Sequence, residues 1–121
     1  MRIQTLSPIL AAAAICAVTS LAVPGPVEAA SFDCGQARTS GERAICGNRG
    51  LEDRDVKMAT LYGVVRQFQG GMGALGAIRD RQAAWLVERN RCASDVACLR
   101  RVYDRRITEL ERAVAAAAGS H

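Results

Sequence analysis

Histidine is nearly missing from this chain of 121 residues, because the only one is the last residue, His121. Catalytic triads, histidine-ligated zinc sites and imidazole acid-base catalysis therefore have no histidine except at the chain end. The acidic residues show no spacing that places two carboxylates in one cleft. We therefore predict a protein that is not an enzyme and that holds no metal and no cofactor.

Long apolar runs and aromatic residues are also scarce. The chain has one Trp, two Tyr and two Phe. Its three prolines interrupt the apolar sequence. No apolar stretch therefore reaches the roughly 18 to 20 residues that a membrane-spanning helix needs. These absences exclude a polytopic membrane protein, and the length limits the chain to one domain with a small core.

Residues 1–29 are typical of a secretory signal peptide. Arg2 precedes an uncharged run from Ile9 to Val23, and a Pro-Gly-Pro sequence follows that run. Val27 and Ala29 then supply the compact residues that signal peptidase requires. We predict cleavage before Ala30, or one residue later, and export to the periplasm or the medium.

Cleavage would remove one basic residue, one acidic residue and Cys16, so the net charge of +4 stays unchanged. The remaining positive charge is almost all arginine, and no transmembrane segment remains. An even number of cysteines in a short exported chain indicates disulfides. The four that remain are Cys34, Cys46, Cys92 and Cys98.

Four cysteines allow three pairings, and the sequence alone does not decide among them. On one unbroken helix Cys92 and Cys98 would lie about 9 Å apart, beyond the limit of about 7 Å for a disulfide. That pair therefore needs a turn, which Ala93-Ser94-Asp95 can form, with Ser94 or Asp95 able to cap the helix that follows. We favour the pairs Cys34 with Cys46 and Cys92 with Cys98.

Apolar residues recur at three- and four-residue spacing, and no strand pattern is present, which predicts an all-α fold. A capping box at Thr39 starts a short N-terminal helix, and three main helices follow. They run from about Leu51 to a glycine-rich joint at 70 to 73, from about Ala74 to Cys92, and from about Asp95 to Val114. We predict one helical domain over residues 30–114 and a flexible tail over residues 115–121.

Several spaced motifs carry a family resemblance. They are Ser31-Phe32-Asp33-Cys34, Glu42 with Ala44-Ile45-Cys46, Leu51, Asp55, Tyr62, Gln82, Trp85-Leu86, Arg89, Cys92, Cys98-Leu99, Tyr103, Arg106-Ile107 and Leu110. Over about residues 31 to 110 the chain resembles the family named for the lysozyme inhibitor LprI. It departs from that pattern at Ala83, Gly50 and Arg54, where a basic residue, a proline and a leucine are usual. The resemblance implies a small exported helical domain with paired disulfides and a lysozyme inhibitor activity.

The motif residues on the helices are predicted to form a structural network. Trp85 and Tyr103 lie on apolar stripes and are expected in the core, the tyrosine with its hydroxyl bonded. Arg89 and Arg106 are expected to turn inward and pair with Asp55 or with carbonyls at helix ends. Such a network would set the register of the helices.

The loop Gly47-Asn48-Arg49-Gly50 is the candidate binding element. A protruding Arg49, held at its base by the bridge of Cys46, would fit the cleft of a lysozyme-type muramidase, where two carboxyl groups lie about 5 Å apart. The net charge of +4 opposes association with a basic lysozyme. An acidic patch of Glu42, Glu52, Asp53 and Asp55 would offset that repulsion.

Two other functions remain open. An arginine-rich exported chain can bind anionic envelope polymers or lipid head groups. It can also be a purely structural envelope protein. We expect no nucleic-acid partner, because export removes the opportunity to meet one.

Overall fold

A computed structural model describes residues 30–68 and 72–119 of the chain. The predicted signal peptide with Cys16 lies outside the described residues. Within them the fold is all-α and has no strand, as predicted. A short 3-10 turn, Cys34–Gln36, precedes four helices: α1 (Ser40–Cys46), α2 (Arg49–Phe68), α3 (Met72–Arg91) and α4 (Val96–Ala118).

Side-chain caps start two of the helices as the sequence predicts. At α1 the Thr39 hydroxyl accepts the backbone N–H of Glu42 at 3.1 Å, and the Glu42 carboxylate accepts the N–H of Thr39 at 3.0 Å. At α4 the Asp95 carboxylate accepts the N–H of Cys98 at 3.0 Å. Both caps satisfy N–H groups that have no partner inside the helix.

Helix α2 begins at Arg49, two residues before the predicted start. The reason is Asn48, whose carbonyl accepts the N–H groups of Leu51 and Glu52 at 2.9 and 3.0 Å. The Asn48 side chain also accepts the Leu51 N–H at 3.2 Å. Arg49 and Gly50 therefore form the first helical turn rather than a loop, which corrects the predicted loop Gly47 to Gly50.

The last helix is longer than predicted. Helix α4 continues past Val114 to Ala118, and the N–H of Gly119 bonds to the Ala115 carbonyl at 3.1 Å. Residues 115 to 118 are helical rather than a tail, because alanine has the highest helix propensity of all residues. Helix α3 likewise begins at Met72, earlier than the predicted Ala74.

The core lies between α2 and α4, which pack most extensively on each other, with α1 and α3 against them. Phe68, at the end of α2, lies outside this core and is 56% exposed. None of the described helices is long and apolar enough to cross a membrane. The buried apolar side chains include Ile45, Leu51, Met58, Val65, Ile78, Trp85, Leu99, Val102, Tyr103, Ile107 and Leu110.

Both favoured disulfide pairs are confirmed. Cys34 and Cys46 join the 3-10 turn to the end of α1, with their Cα atoms 5.8 Å apart. Cys92 and Cys98 close the turn between α3 and α4 at 5.5 Å. The turn that this pair needs contains Ala93, whose φ of 48° lies in the left-handed region.

The two disulfides lie at the same end of the bundle. A Cβ atom added to Gly41 of α1 would lie 3.2 Å from the Ala93 carbonyl oxygen, so α1 contacts the α3–α4 turn. A Cβ atom added to Gly50 would lie 3.9 Å from Nη2 of Arg100, near the start of α4. We call this region, made of residues 34–50 and 91–101, the disulfide end.

Candidate functional site

Asp55 of α2 is the most deeply buried charged residue described, with 1% of its surface exposed. Its Oδ1 accepts the Tyr103 hydroxyl at 2.7 Å, and its Oδ2 accepts the backbone N–H of Ser31 at 2.7 Å. The carboxylate therefore connects the N-terminal segment, α2 and α4. Two short hydrogen bonds to a charged acceptor stabilise a carboxylate well inside a protein.

Tyr103 and Trp85 form the aromatic centre of the bundle, as predicted. Tyr103 is fully buried, and its ring meets the Trp85 ring edge-on, with centroids 5.2 Å apart and planes at 71°. Trp85 Nε1 donates to the Val102 carbonyl at 3.3 Å. Burial, followed by the charge of Asp55 and its hydrogen bond, raises the pKa of the Tyr103 phenol. The phenol is therefore a hydrogen-bond donor at neutral pH.

Arg89 turns inward, as predicted, but not toward Asp55. It is 6% exposed, and its guanidinium carbon lies 5.9 Å from the centre of the Trp85 ring, within the range of a cation–π contact. Its Nε and Nη2 donate to Asn90 Oδ1 at 3.3 and 3.0 Å, and Nη2 lies 3.7 Å from Glu42 Oε1. The predicted pair with Asp55 is wrong for Arg89, whose nearest carboxylate belongs to α1.

Arg106 of α4 forms a second buried network with α3. Its Nε and Nη2 donate to Gln82 Oε1 at 3.3 and 2.9 Å, and its Nη1 donates to Glu109 Oε2 at 3.1 Å. Gln82 also donates to the Met58 sulfur of α2 at 3.4 Å. The pairing of Arg106 with Asp55 is thus also wrong, but the network still sets the register of three helices.

A cleft of about 380 Å³ lies between the N-terminal segment, α2 and α3, and members of these networks line it. Phe32, Met58 and Leu86 line it with apolar surface, and Glu42, Asp55 and Arg89 supply charge. Hydrogen bonds from the backbone of Thr39 and Arg38, and then the charge of Arg89, lower the pKa of Glu42. The cleft therefore combines two carboxylates, one guanidinium and an apolar wall.

The candidate binding residues lie at the disulfide end. The Arg49 side chain is 86% exposed and lies 3.7 Å from Asp53, a pair that solvent largely screens. The side chain of Asn48 is used to cap α2. The structure therefore leaves Arg49 accessible and engages Asn48 in the fold.

The expected acidic patch does not form on the surface. Glu42 binds backbone N–H groups at α1, and Asp55 and Glu52 are buried. Asp53, whose side chain is 70% exposed, is the one member that solvent reaches freely. Helix α2 turns the other members inward, so they cannot offset the positive charge for a basic partner.

Arginines dominate the surface of the disulfide end instead. A groove of about 280 Å³ beside the Cys92–Cys98 bridge is lined by Arg91, Arg101 and Arg105. Arg105 pairs with Glu88. Among the residues that the structure describes, no carboxylate oxygen lies within 4 Å of the guanidinium groups of five exposed arginines at this end. They are Arg38, Arg43, Arg91, Arg100 and Arg101.

Two contacts of the cleft were missed by sequence reasoning. The sequence interpretation assigned Glu42 to the α1 cap, and the structure adds its ion pair with Arg89. The bond from the Ser31 N–H to Asp55 joins residues 24 positions apart, and no sequence motif specifies it. The Ser31 motif and Asp55 both belong to the resemblance, which is the only signal that could have linked them.

Comparisons of the chain with protein-family models, curated proteins and solved structures give no significant match. The resemblance to the LprI family therefore stays a prediction. In residues 30–68 and 72–119, no three His, Cys, Asp or Glu side chains converge in a way that could hold a metal ion. The functional argument accordingly rests on charge, exposure and geometry.

Proposed function

We propose that this chain is an exported, non-catalytic binding protein that engages an acidic target through arginines of the disulfide end. The observation that supports this proposal is the set of five exposed arginines there whose guanidinium groups lack a carboxylate partner. Arginine presents planar donors that match carboxylate and phosphate geometry. Two disulfides fix the backbone beneath them, so little conformational entropy is lost on binding.

The first target is the catalytic cleft of a lysozyme-type muramidase, which the LprI resemblance implies. Arg49 projects from the first turn of α2, three residues after the disulfide-bonded Cys46. Its guanidinium would pair with the catalytic carboxylates and block the substrate. Because the expected acidic patch is absent from the surface, the local contacts of Arg49 would have to outweigh the repulsion between two basic proteins.

The second target is an anionic envelope component, such as a polymer phosphate or a lipid head group. The groove lined by Arg91 and Arg101 favours it, because both residues are exposed and line one groove with the disulfide-bonded Cys92 and Cys98. A charged polymer or surface would contact many arginines at once. Affinity would then fall steeply as the salt concentration rises.

A muramidase turbidity assay separates the two targets. The assay uses the oxidised, exported protein at equimolar to tenfold excess, in low and in moderate salt. Saturable inhibition that survives moderate salt and weakens in Arg49→Ala supports the muramidase target. Arg112→Ala is the matched control, because Arg112 is an exposed arginine near the far end of α4. Absence of inhibition at tenfold excess excludes that muramidase as the target.

The anionic target is tested by co-sedimentation with vesicles that contain an anionic lipid and with an anionic polymer. We expect binding that the double variant Arg91→Ala, Arg101→Ala weakens several-fold. The double variant Arg79→Ala, Arg112→Ala removes the same charge from exposed positions elsewhere and should bind nearly as the parent does. Equal losses of binding in the two double variants would contradict a binding site at the disulfide end. No binding to either probe would favour a purely structural envelope protein.

A further inference from the structure

The buried carboxylate of Asp55 has two hydrogen-bond donors but no cation in ion-pair contact, since the buried Arg89 that lines the same cleft pairs with Glu42. It is 1% exposed, and its oxygens accept the Tyr103 hydroxyl and the Ser31 N–H at 2.7 Å each. Across the described residues, no lysine or arginine nitrogen lies within 4 Å of it. An ionised carboxylate in the interior is costly unless an opposite charge accompanies it.

One of these two donors lies where the predicted signal cleavage occurs. Cleavage is expected before Ala30, or one residue later, and the nitrogen that bonds to Asp55 is that of Ser31. Ala30 is itself buried, at 4% exposure, against the core. Hydrolysis of either peptide bond adds water, leaves a carboxylate on the departing segment and leaves a protonated α-amine on the remaining chain. The processed chain thus gains a positive charge at this point.

We propose that signal cleavage supplies a cation in direct contact, because the new α-ammonium group pairs with the buried carboxylate of Asp55. If Ser31 becomes the first residue, its nitrogen already lies 2.7 Å from Oδ2. If Ala30 is first, its nitrogen lies one residue away, and consecutive backbone nitrogens are about 3 to 4 Å apart. In both cases the charge lies within about 7 Å of the carboxylate, where opposite charges attract strongly in a protein interior. The proposal depends on the export that is part of the proposed function.

This pairing links processing to the stability of the fold. Ser31 and Phe32 line the cleft between α2 and α3, so an anchored N-terminus holds the wall of that cleft in place. A chain that still carries residues 1–29 has an uncharged amide at the same position. The unprocessed chain is therefore less stable than the processed one, which keeps it easier to unfold before export.

The test compares two forms of the protein produced by export from a bacterial host. One is the parent, and the other has two glycines inserted between Ala29 and Ala30, which moves the new amine away from Asp55. Intact mass first establishes the first residue of each. The α-amine is then acylated at pH 7.5, and thermal unfolding is recorded. We expect the parent amine to react about tenfold more slowly, because a nearby carboxylate keeps it protonated. We also expect the parent to unfold at a higher temperature.

Two substitutions assign the effect to one carboxylate. Asp55→Asn should remove the difference in amine reactivity between the parent and the insertion form. Asp53→Asn is the matched control, since it makes the same change at an exposed carboxylate two residues away and should leave the difference intact. If Asp55→Asn does not fold, the parent and the insertion form still give the answer.

The outcomes that overturn the proposal differ from those that overturn the proposed function. A chain that keeps residues 1–29 contradicts both the export and the ammonium. A processed chain whose amine reacts as fast as that of the insertion form contradicts the pairing and leaves export and binding unaffected. Loss of muramidase inhibition has no bearing on the pairing, because Arg49 is not part of it.

Discussion

The hydroxyl of Tyr103 on α4 donates a 2.7 Å hydrogen bond to the carboxylate of Asp55 on α2, and both residues are buried. The two residues are 48 positions apart in the chain. Because α2 and α4 form the main packed pair, this bond lies at the centre of the fold. It is a buried polar contact between these two helices, which the more exposed ion pairs Arg54–Asp104 and Lys57–Glu111 also join.

Tyr103→Phe removes that hydroxyl and leaves Asp55 Oδ1 buried without its donor. We expect the free energy of unfolding to fall by about 1 to 3 kcal/mol, the usual cost of an unsatisfied buried group. Urea denaturation measures the change. Tyr62→Phe is the control, because Tyr62 is half-buried and contacts Arg66 through its ring. Equal losses in the two variants would contradict a special role for the Tyr103 hydroxyl.

Gly41→Ala places a Cβ atom 3.2 Å from the Ala93 carbonyl, where α1 meets the α3–α4 turn. We expect a loss of stability of about 1 to 3 kcal/mol, because a buried contact has to move. Gly63→Ala is the matched control inside α2, where nothing lies within 4 Å of the added atom. That variant should gain up to about 1 kcal/mol from helix propensity. Thermal unfolding of both variants shows whether each substitution lowers or raises stability. A gain in stability for Gly41→Ala would contradict the close contact between Gly41 and the Ala93 carbonyl.

The pair of Gln82 and Arg106 can be tested with a double-mutant cycle. Gln82→Ala and Arg106→Ala should each destabilise the fold, and the coupling between them should be about 0.5 to 3 kcal/mol. Arg106 is buried, so its hydrogen bonds are not screened by solvent. The pair of Arg105 and Glu88 is the control, since both side chains are about half exposed. Its coupling should stay below about 1 kcal/mol, and a larger value there than at Gln82 would contradict the structural network.

Acid should remove the contribution of Glu42. Backbone hydrogen bonds from Thr39 and Arg38, and then the charge of Arg89, lower the pKa of Glu42 in the folded chain. The ionised form therefore stabilises the fold at a pH above the ordinary glutamate value of about 4.3. That stabilisation is lost as the pH falls through the lower value of the folded state.

Glu42→Gln should accordingly be less stable than the parent at pH 7 and should approach the parent as the pH falls below about 4. Denaturant unfolding at a series of pH values measures the difference in the free energy of unfolding between the variant and the parent. Glu111→Gln is the control, an exposed carboxylate whose ion pair with Lys57 is worth less than about 1 kcal/mol at pH 7. If the difference in the free energy of unfolding between Glu42→Gln and the parent is the same at every pH, the carboxylate charge has no part in the cap.

The sequence by itself determined the elements and their covalent links. Four helices, the Thr39 capping box, the Asp95 cap and both disulfide pairs could be predicted, because each depends on residues within about a dozen positions. Helix ends were less accurate. The cap at Asn48 and the alanine run after Val114 extended α2 and α4 past the expected bounds.

Only the tertiary structure decided the partners of the buried charges. Arg89 lies near Glu42 of α1, Arg106 bonds to Gln82 of α3, and Asp55 accepts donors from Ser31 and Tyr103. Each of these contacts depends on how a helix is rotated about its axis and which neighbour it meets. Local periodicity gives the apolar face of a helix but not the residue opposite each polar side chain. The gathering of arginines at the disulfide end has the same cause, since helices distant in sequence bring them together.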